Sequence, residues 1–492
     1  MDFPVLSNLP AIRQARFGKL KHRISISTAD SETAAEDITI QVPSRVKLYT
    51  LLFPAAIMAY ATSGYDGSMM NSLQTVTYWD DYFNHPRGQL LGILSAIMPL
   101  GSICSTPLAP LLADKFGRRW GITVGSIVII VGAIVQCESH NFAMFLISRF
   151  ILGFGLTFCT TAGPRLVAEL CHPKERTTIT AICNTCWLIE SIIAAWVTFG
   201  TRRIESNSVI APDDPSIFQL ATVWFLPESP RWLVSNDRPD DALKALKRYH
   251  GEGKETDMVK LEFCEIQQVI KLEKESKLTS WKSLVSTSGK RYRLFLVLCM
   301  GVFSQWSGND LISYYLSRVM DSIALVNGII NIWNWLIALT TSFFVDKVGR
   351  RPLFLVSTVG MLLVFAGWTA ASAQFSNDKK DQTGIAVLAL IFVYELFYCI
   401  ALSPLPVAYS VEILPYGIRA KGMAVYVLST KGAVFLNQFV NPIGLANIGW
   451  KYYLVYCMWL SVEVAIAYCF FVETKGYALE EIAKNIKVSH KE

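Results

Sequence analysis

The sequence predicts an all-α membrane protein, with twelve transmembrane helices arranged as two six-helix halves that repeat each other. Two observations carry this prediction. Of the 492 residues, 52% are apolar and only 17% charged, against about 25% charged in an ordinary soluble chain. The hexapeptide Asp114-Lys-Phe-Gly-Arg-Arg119 also returns as Asp346-Lys-Val-Gly-Arg-Arg351, each copy lying between two apolar runs. Two further echoes follow at a similar offset. Glu169 with Arg176 is answered by Glu412 with Arg419, and Pro227-Glu-Ser-Pro-Arg-Trp232 by Val472-Glu-Thr-Lys-Gly476. Three marks in the same order mean that one half structurally duplicates the other. Parallel repeats of this kind place a binding site between the halves.

The low-charge stretches run over 48–70, 88–113, 120–137, 142–168, 178–200, 215–226, 292–317, 323–345, 352–374, 384–411, 422–446 and 450–472. Most reach the ~20 residues that a helix needs to cross the hydrocarbon. Residues 1–47 are polar, hold seven Lys or Arg, and read as a disordered cytoplasmic tail. No signal peptide is recognised ahead of span one, which is expected to serve as the uncleaved targeting segment. The N-terminal half occupies 48–226. Residues 227–290 hold twelve basic and eleven acidic residues, in runs such as Asp240-Asp-Ala-Leu-Lys-Ala-Leu-Lys-Arg-Tyr249. They predict a cytoplasmic linker of short amphipathic helices. The C-terminal half follows over 291–474, and 475–492 form a cytoplasmic tail. Two places are thin. Span six has only Pro215–Leu226 free of charge, and Arg318–Ser322 leaves little room between spans seven and eight. Either those helices are short and tilted, or segments were lost through a deletion or a misplaced splice boundary.

The net charge of +6 follows from where the charges lie. Turns 2–3, 4–5, 8–9 and 10–11 hold Lys115, Arg118, Arg119, Lys174, Arg176, Lys347, Arg350, Arg351, Arg419 and Lys421, while turns 1–2, 3–4, 7–8 and 11–12 hold only Arg87, Arg318 and Lys451. The positive-inside rule then puts both termini in the cytoplasm. The basic balance needs no nucleic-acid partner; the partners expected are the lipid bilayer and a small molecule. Cys183-x-x-Cys186 lies inside span five without a second ligand pair, so its cysteines read as small packing residues. The linker has no Gly-rich phosphate loop and no metal-ligand spacing. No cofactor, metal site, ATP-driven step or enzyme activity is expected.

Six motifs together carry a resemblance: Gly64-Tyr-Asp-Gly67, Arg149-Phe-x-x-Gly-x-Gly155, Pro227-Glu-Ser-Pro-Arg-Trp-Leu233, Gln305-Trp-Ser-Gly308, Val407-Ala-Tyr-Ser-Val-Glu-Ile-Leu-Pro415 and Val472-Glu-Thr-Lys-Gly476. From about Tyr49 to Ile486 the chain resembles the sugar porters of the major facilitator superfamily, most of all the fungal proton symporters of the lactose and hexose type. The resemblance implies a major facilitator fold in the plasma membrane and proton-coupled sugar import by alternating access. Transport of another polar metabolite, by uptake or efflux, and a non-transporting sugar sensor are the alternatives.

The resemblance also assigns residues. Asp66, deep in span one, is costly to bury unless paired or solvated; the family pattern makes Arg149 its partner, so that a carboxylate alternating between an arginine and a proton couples proton entry to movement. A static structural ion pair is the other reading of these two residues. Asp114, Arg118, Arg119, Asp346, Arg350 and Arg351 are expected to form, with Glu169, Arg176, Glu412 and Arg419, inter-helix salt bridges that latch the cytoplasmic side in the outward-open state. The same arginines also set topology. Gln305, Asp310, Tyr314, Asn184 and Asn334 fall where sugar porters contact substrate, and Trp187, Trp306 and Trp333 offer ring faces or plain packing. Three charges depart from the pattern: Asp310, where the family usually has a neutral Asn or Gly; Glu190, mid-span in span five; and Lys431, about ten residues into span eleven. Intramembrane charges are functional-site candidates by default. They indicate an altered substrate, an internal charge pair, or decay of function.

Overall fold

Helix follows helix along the chain, and no strand occurs among the described residues. The computed structural model describes Leu48, Thr50, Gly64 and residues 81–83, 86–172, 176–201, 214–277, 281–309, 311, 323–378 and 381–474, all within one unit, Pro43–Glu492. Both predicted tails, nearly all of span one and the cramped 7–8 turn lie outside the described residues.

In the first half, α1 (Gln89–Ser105) and α2 (Leu108–Phe116) form one apolar path bent by 45°. Pro107 stands at the break, where a proline removes a helix donor and crowds the preceding turn. α3 (Arg118–Cys137), α4 (Phe142–Leu170), α5 (Arg176–Thr201) and α6 (Asp214–Thr222) complete it. Asn141 starts α4 by accepting the Met144 N–H at 2.9 Å, which meets one of the open donors of the first turn. α6 is short and passes into a 3-10 turn at Val223–Phe225. The described part of the thin sixth span is thus Asp214–Phe225.

Three linker helices follow: α7 (Pro230–Ser235), α8 (Pro239–Tyr249) and α9 (Asp257–Lys277). They dock on α4 through a buried histidine. The two ring nitrogens of His250 lie 2.8 Å from Glu262 and 3.0 Å from the Leu170 carbonyl. The carbonyl can only accept, so Nε2 carries a proton and Nδ1 faces the carboxyl group.

The second half holds α10 (Ser288–Trp306), α11 (Ile323–Val348), α12 (Arg350–Asp378), α13 (Asp381–Ala401), α14 (Leu405–Ile413), α15 (Tyr416–Ile448) and α16 (Tyr452–Phe470). Among the described residues, the stretches Arg118–Cys137, Phe142–Leu170, Arg350–Phe375, Gly384–Ile413 and Lys421–Phe470 are long and apolar enough to cross a bilayer, the last of them taking in both α15 and α16.

The halves are packed by different means. In the first, small residues let backbones touch, as in membrane helix pairs generally. A Cβ on Gly153 would run into the Met98 carbonyl of α1, and one on Gly101 into the Phe150 carbonyl of α4. Ser102 fastens the same contact by donating to the Gly153 carbonyl at 2.9 Å. The second half is filled with rings: Phe365, Trp368, Tyr394, Tyr453 and Tyr456 stack edge-on or tilted, with centroids 4.8–6.2 Å apart. The two halves meet where α1 packs on α15 and α5 on α11. Gly92 lies against the Phe439 carbonyl, and Gly328 against the Trp196 indole.

The glycine seam makes a direct prediction. Gly153→Ala should cost about 1–3 kcal/mol by overpacking and lower the thermal midpoint in detergent. Gly289→Ala, with open space around the new methyl, should leave the midpoint unchanged or raise it. Equal midpoints for the two variants would refute the close-packed seam.

Candidate functional site

Each basic turn is built around a glycine in the left-handed region. Gly117 and Gly349 have φ of +109° and +102°, which residues with a Cβ rarely adopt. A Cβ there would also strike a carboxylate, Glu228 in one half and Glu473 in the other. These carboxylates close the helices that follow. Glu228 accepts the N–H groups of Arg118 and Arg119 at 3.1 and 3.3 Å; Glu473 accepts those of Arg350 and Arg351 at 2.9 and 3.1 Å. The first N–H groups of a helix have no partner inside it, and they lie at its positive end. A carboxylate satisfies both demands.

The arginine side chains then reach the next span, at α4 in the first half and α14 in the second. Arg118 Nε and Nη2 donate to the two oxygens of Glu169 at 3.0 and 3.2 Å, a bidentate pair. Its Nη1 bonds to the Ala113 carbonyl at 3.2 Å and to Asp114 at 3.4 Å. Arg350 donates to Glu412 at 2.8 Å. A hydroxyl completes each cluster, Ser229 on Glu169 and Thr474 on Glu412, both at 2.5 Å. Arg119 and Arg351 bond to the carbonyls of Trp224 and Tyr468 at 2.7 and 2.9 Å. The capping carboxylate, the arginine–glutamate pair, the hydroxyl and the arginine–carbonyl bond thus recur in both halves; the bidentate geometry is seen in the first.

Of the predicted gating residues, Asp114, Arg118, Arg119 and Glu169 come together in the first half, and Arg350, Arg351 and Glu412 in the second. Arg419 lies on α15, its Nε donating to the Leu414 carbonyl at 3.2 Å. The side chains of Arg176 and Asp346 lie outside the described residues. Glu228 and Glu473 were overlooked as functional residues, although the third sequence echo contains both. Burial pushes the Glu228 carboxyl above the ordinary carboxylate value, against the pull of the Ser229, Arg119 and Arg118 N–H groups and the Arg119 charge.

Toward the middle of the bundle, Arg149 on α4 is 2% exposed. Its expected partner Asp66 lies outside the described residues, as do Asp310, Tyr314 and the side chain of Asn184. Gln305 ends α10 beside a buried polar network. Its carbonyl accepts the Asn437 amide at 2.8 Å, Asn441 donates to Asn437 at 2.8 Å, and Tyr456 donates to both asparagines at 2.7 Å. Asn334 on α11 donates to Glu395 on α13 at 3.0 Å. Trp306 donates to the Ala433 carbonyl at 2.9 Å and Trp333 to the Phe392 carbonyl at 3.1 Å, so both indole N–H groups serve helix packing. Trp187 is 41% exposed. Two further buried acids, Glu395 and Glu463, fall outside the sequence motifs. Glu463 accepts from Ser307 at 3.0 Å and from Trp459 at 2.6 Å. A charge inside the apolar runs 384–411 and 450–472 was the available signal.

Residues 51–485 match the family described as "Sugar (and other) transporter". The chain belongs to that family, within the major facilitator superfamily. An MFS-type transporter, criB, of Aspergillus cristatus is 30% identical to this transporter, over 85% of this chain and 89% of its own. An MFS glucose transporter of Aspergillus flavus is 25% identical over 89% of each chain. A high-affinity glucose transporter of Kluyveromyces lactis is 24% identical over 89% and 85%. Among solved structures, the inward-open xylose transporter XylE of E. coli matches with a TM-score of 0.74 at 20% identity, over 89% of this chain and 99% of that one. The transporter thus has the major facilitator fold, and its relatives are carriers, not enzymes.

Two measurements test the clusters. The Arg118 and Glu169 side chains are only 10% and 12% exposed, so Arg118→Ala strands a buried carboxylate and should cost about 3–5 kcal/mol. Arg350→Ala should cost less, since that pair is 16% and 28% exposed. Thermal melts that rank them the other way would contradict this. For Glu228 the sign is fixed by its raised carboxyl. The folded chain holds that proton to higher pH than the unfolded chain, so the group's contribution to stability is greatest below the ordinary value of 4.5 and falls as pH rises above it. Glu228→Gln should flatten that part of the stability–pH curve; an unchanged slope would refute the assignment.

Proposed function

We propose that the transporter imports a sugar together with a proton, by alternating access of a central site between its two halves. The observation that carries this is the family match over nearly the whole chain, joined to relatives that include glucose transporters. Geometry supports the same reading. An arginine as buried as Arg149 inside an apolar bundle needs a counter-charge, and the resemblance names Asp66 for it. In that scheme the carboxylate alternates between Arg149 and a proton, and the change of charge favours one orientation of the halves over the other. A proton:xylose symporter among the solved neighbours supports proton coupling.

Gln305, Asp310, Tyr314, Asn184 and Asn334 are proposed to line the sugar site. The basic clusters, with Arg176, Asp346 and Arg419, are proposed as the cytoplasmic latch, with both termini in the cytoplasm and the plasma membrane as the site of action.

Uptake of radiolabelled sugars at two external pH values, in cells lacking their own carriers, tests the reading. Uptake should rise at the lower pH and accumulate against the gradient, and Asp66→Asn should abolish accumulation while sparing exchange. Unchanged uphill uptake in Asp66→Asn would remove proton coupling. No uptake of any sugar would remove the sugar reading. Loosening the cytoplasmic end of the first half weakens its closure against the second, so Arg118→Ala should shift the resting population toward inward-open, measured as labelling of cavity cysteines from the cytoplasmic side. Wild-type labelling in a normally expressed variant would leave the arginines with topology alone.

A further inference from the structure

We propose that Glu463 is a second proton-binding site, which grips the end of α10 beside Gln305 and acts on the sugar site through Ser307. The inference deepens the proton-coupled sugar reading above and rests on it. Glu463 lies in α16, inside the apolar run 450–472, and is fully buried. Its two oxygens meet Ser307 Oγ at 3.0 Å and Trp459 Nε1 at 2.6 Å, both uncharged donors. Burying a carboxylate charge against neutral donors is costly. A bound proton removes that cost.

Ser307 decides what the proton does. Its hydroxyl lies 2.5 Å from the Phe303 carbonyl as well as 3.0 Å from Glu463. A hydroxyl has one hydrogen to give, so it serves one of these acceptors at a time. Against an ionised Glu463 it turns to the carboxylate, and the Phe303 carbonyl goes without it. Once Glu463 takes a proton, the acid donates to Ser307 Oγ and the hydroxyl hydrogen is released to Phe303. Both contacts are then filled by the rotation of one hydrogen. The bond to Phe303 ties down the last turn of α10, where helix carbonyls run out of partners within the helix. Gln305 sits in that turn, and the chain breaks from it at Gly308, whose φ is +109°.

The other bonds at this end do not depend on a proton. Tyr398, Asn437 and Tyr394 donate to the carbonyls of Ser304, Gln305 and Ser307 at 2.8, 2.8 and 2.7 Å. The titratable neighbours of Glu463 are Cys299 of α10 and Tyr394 of α13, residue types that stay neutral at physiological pH. Glu395, next to Tyr394, is bonded to Asn334 of α11 instead. α12 packs on α16 and carries charge only at its ends, at Arg350, Arg351 and Asp378. α15 meets α16 through neutral Asn437 and Asn441, at Tyr452 and Tyr456. Among the described residues, Glu463 is thus the group at the end of α10 whose charge can change.

The first readout needs no sugar. Infrared difference spectra of the purified full-length Asp66→Asn protein, taken between acid and alkaline pH, should show a protonated-carboxyl C=O band that vanishes in Glu463→Gln. In Ser307→Ala the band should persist but shift, because the acid has lost its bond to Ser307; this assigns the band even where Glu463→Gln fails to fold. The second readout is binding of radiolabelled D-glucose to the same protein. Affinity should be at least about fivefold higher at acid than at alkaline pH, the low end of ordinary coupling. Glu463→Gln, whose amide donates as the protonated acid does, should keep the acid-pH affinity at every pH. Ser307→Ala should flatten the profile. No C=O band, or a band that neither variant alters, overturns the proposal, as does a glucose pH profile that survives Glu463→Gln. A band that behaves as expected without any glucose binding removes the sugar reading and upholds the proton site.

Discussion

A carboxylate closing the first turn of a helix it does not belong to is the contact on which one end of each half depends. Glu228 and Glu473 reach the N-termini of α3 and α12, where helix donors would otherwise face a low-dielectric surface unpaired. Once the carboxylate is in place, the glycine turn before it must be tight, and the two arginines after it are aimed by the backbone. One arginine meets a glutamate on the next span, and the other meets a carbonyl from the segment that ends the half. Four segments distant in sequence are tied at one point. Trp232 adds a fifth link by donating to the Asp114 carbonyl at 2.9 Å, which brings the linker into the same bracket.

These ties run inside each half. Arg118, Glu169 and Glu228 belong to the first; Arg350, Glu412 and Glu473 to the second. Among the described residues, the contacts where α1 meets α15 and α5 meets α11 are of another kind, with small residues set against backbone and rings, as at Gly92 and Gly328. Charged, directional bonds resist sliding, and apolar contacts through small residues permit it. A molecule built this way bends between its halves before it bends within them. That is the mechanical requirement of alternating access.

Much of this was legible in the sequence. The repeat marks located both arginine clusters and their partners Glu169 and Glu412, because a motif that recurs is visible without any knowledge of contacts. The capping glutamates lay inside a recognised echo and still went unassigned. Their partners are 110 and 123 residues away, and no local rule of helix capping extends so far. The division of labour in packing was equally hidden. Nothing in the spacing of Gly101 and Gly153 states that each would meet a carbonyl of the other's helix, nor that Asn334 finds Glu395 61 residues on. Composition and periodicity reveal which faces are buried, but the partner across the interface depends on topology. Lys431 was legible as an anomaly.

Rigid halves moving about a central site can be observed directly. Spin labels carried on unnatural side chains, which leave the native thiols untouched, would be placed at Lys115 with Asn236, on the linker segment that Trp232 ties to the first half, and at Lys115 with Val348 across the halves. All three positions are exposed. Pulsed electron resonance should find one Lys115–Asn236 distance, unmoved by pH or ligand, and two Lys115–Val348 distances whose populations shift when ligand binds. A single fixed Lys115–Val348 distance, or a Lys115–Asn236 distance that changes with ligand, would contradict the account.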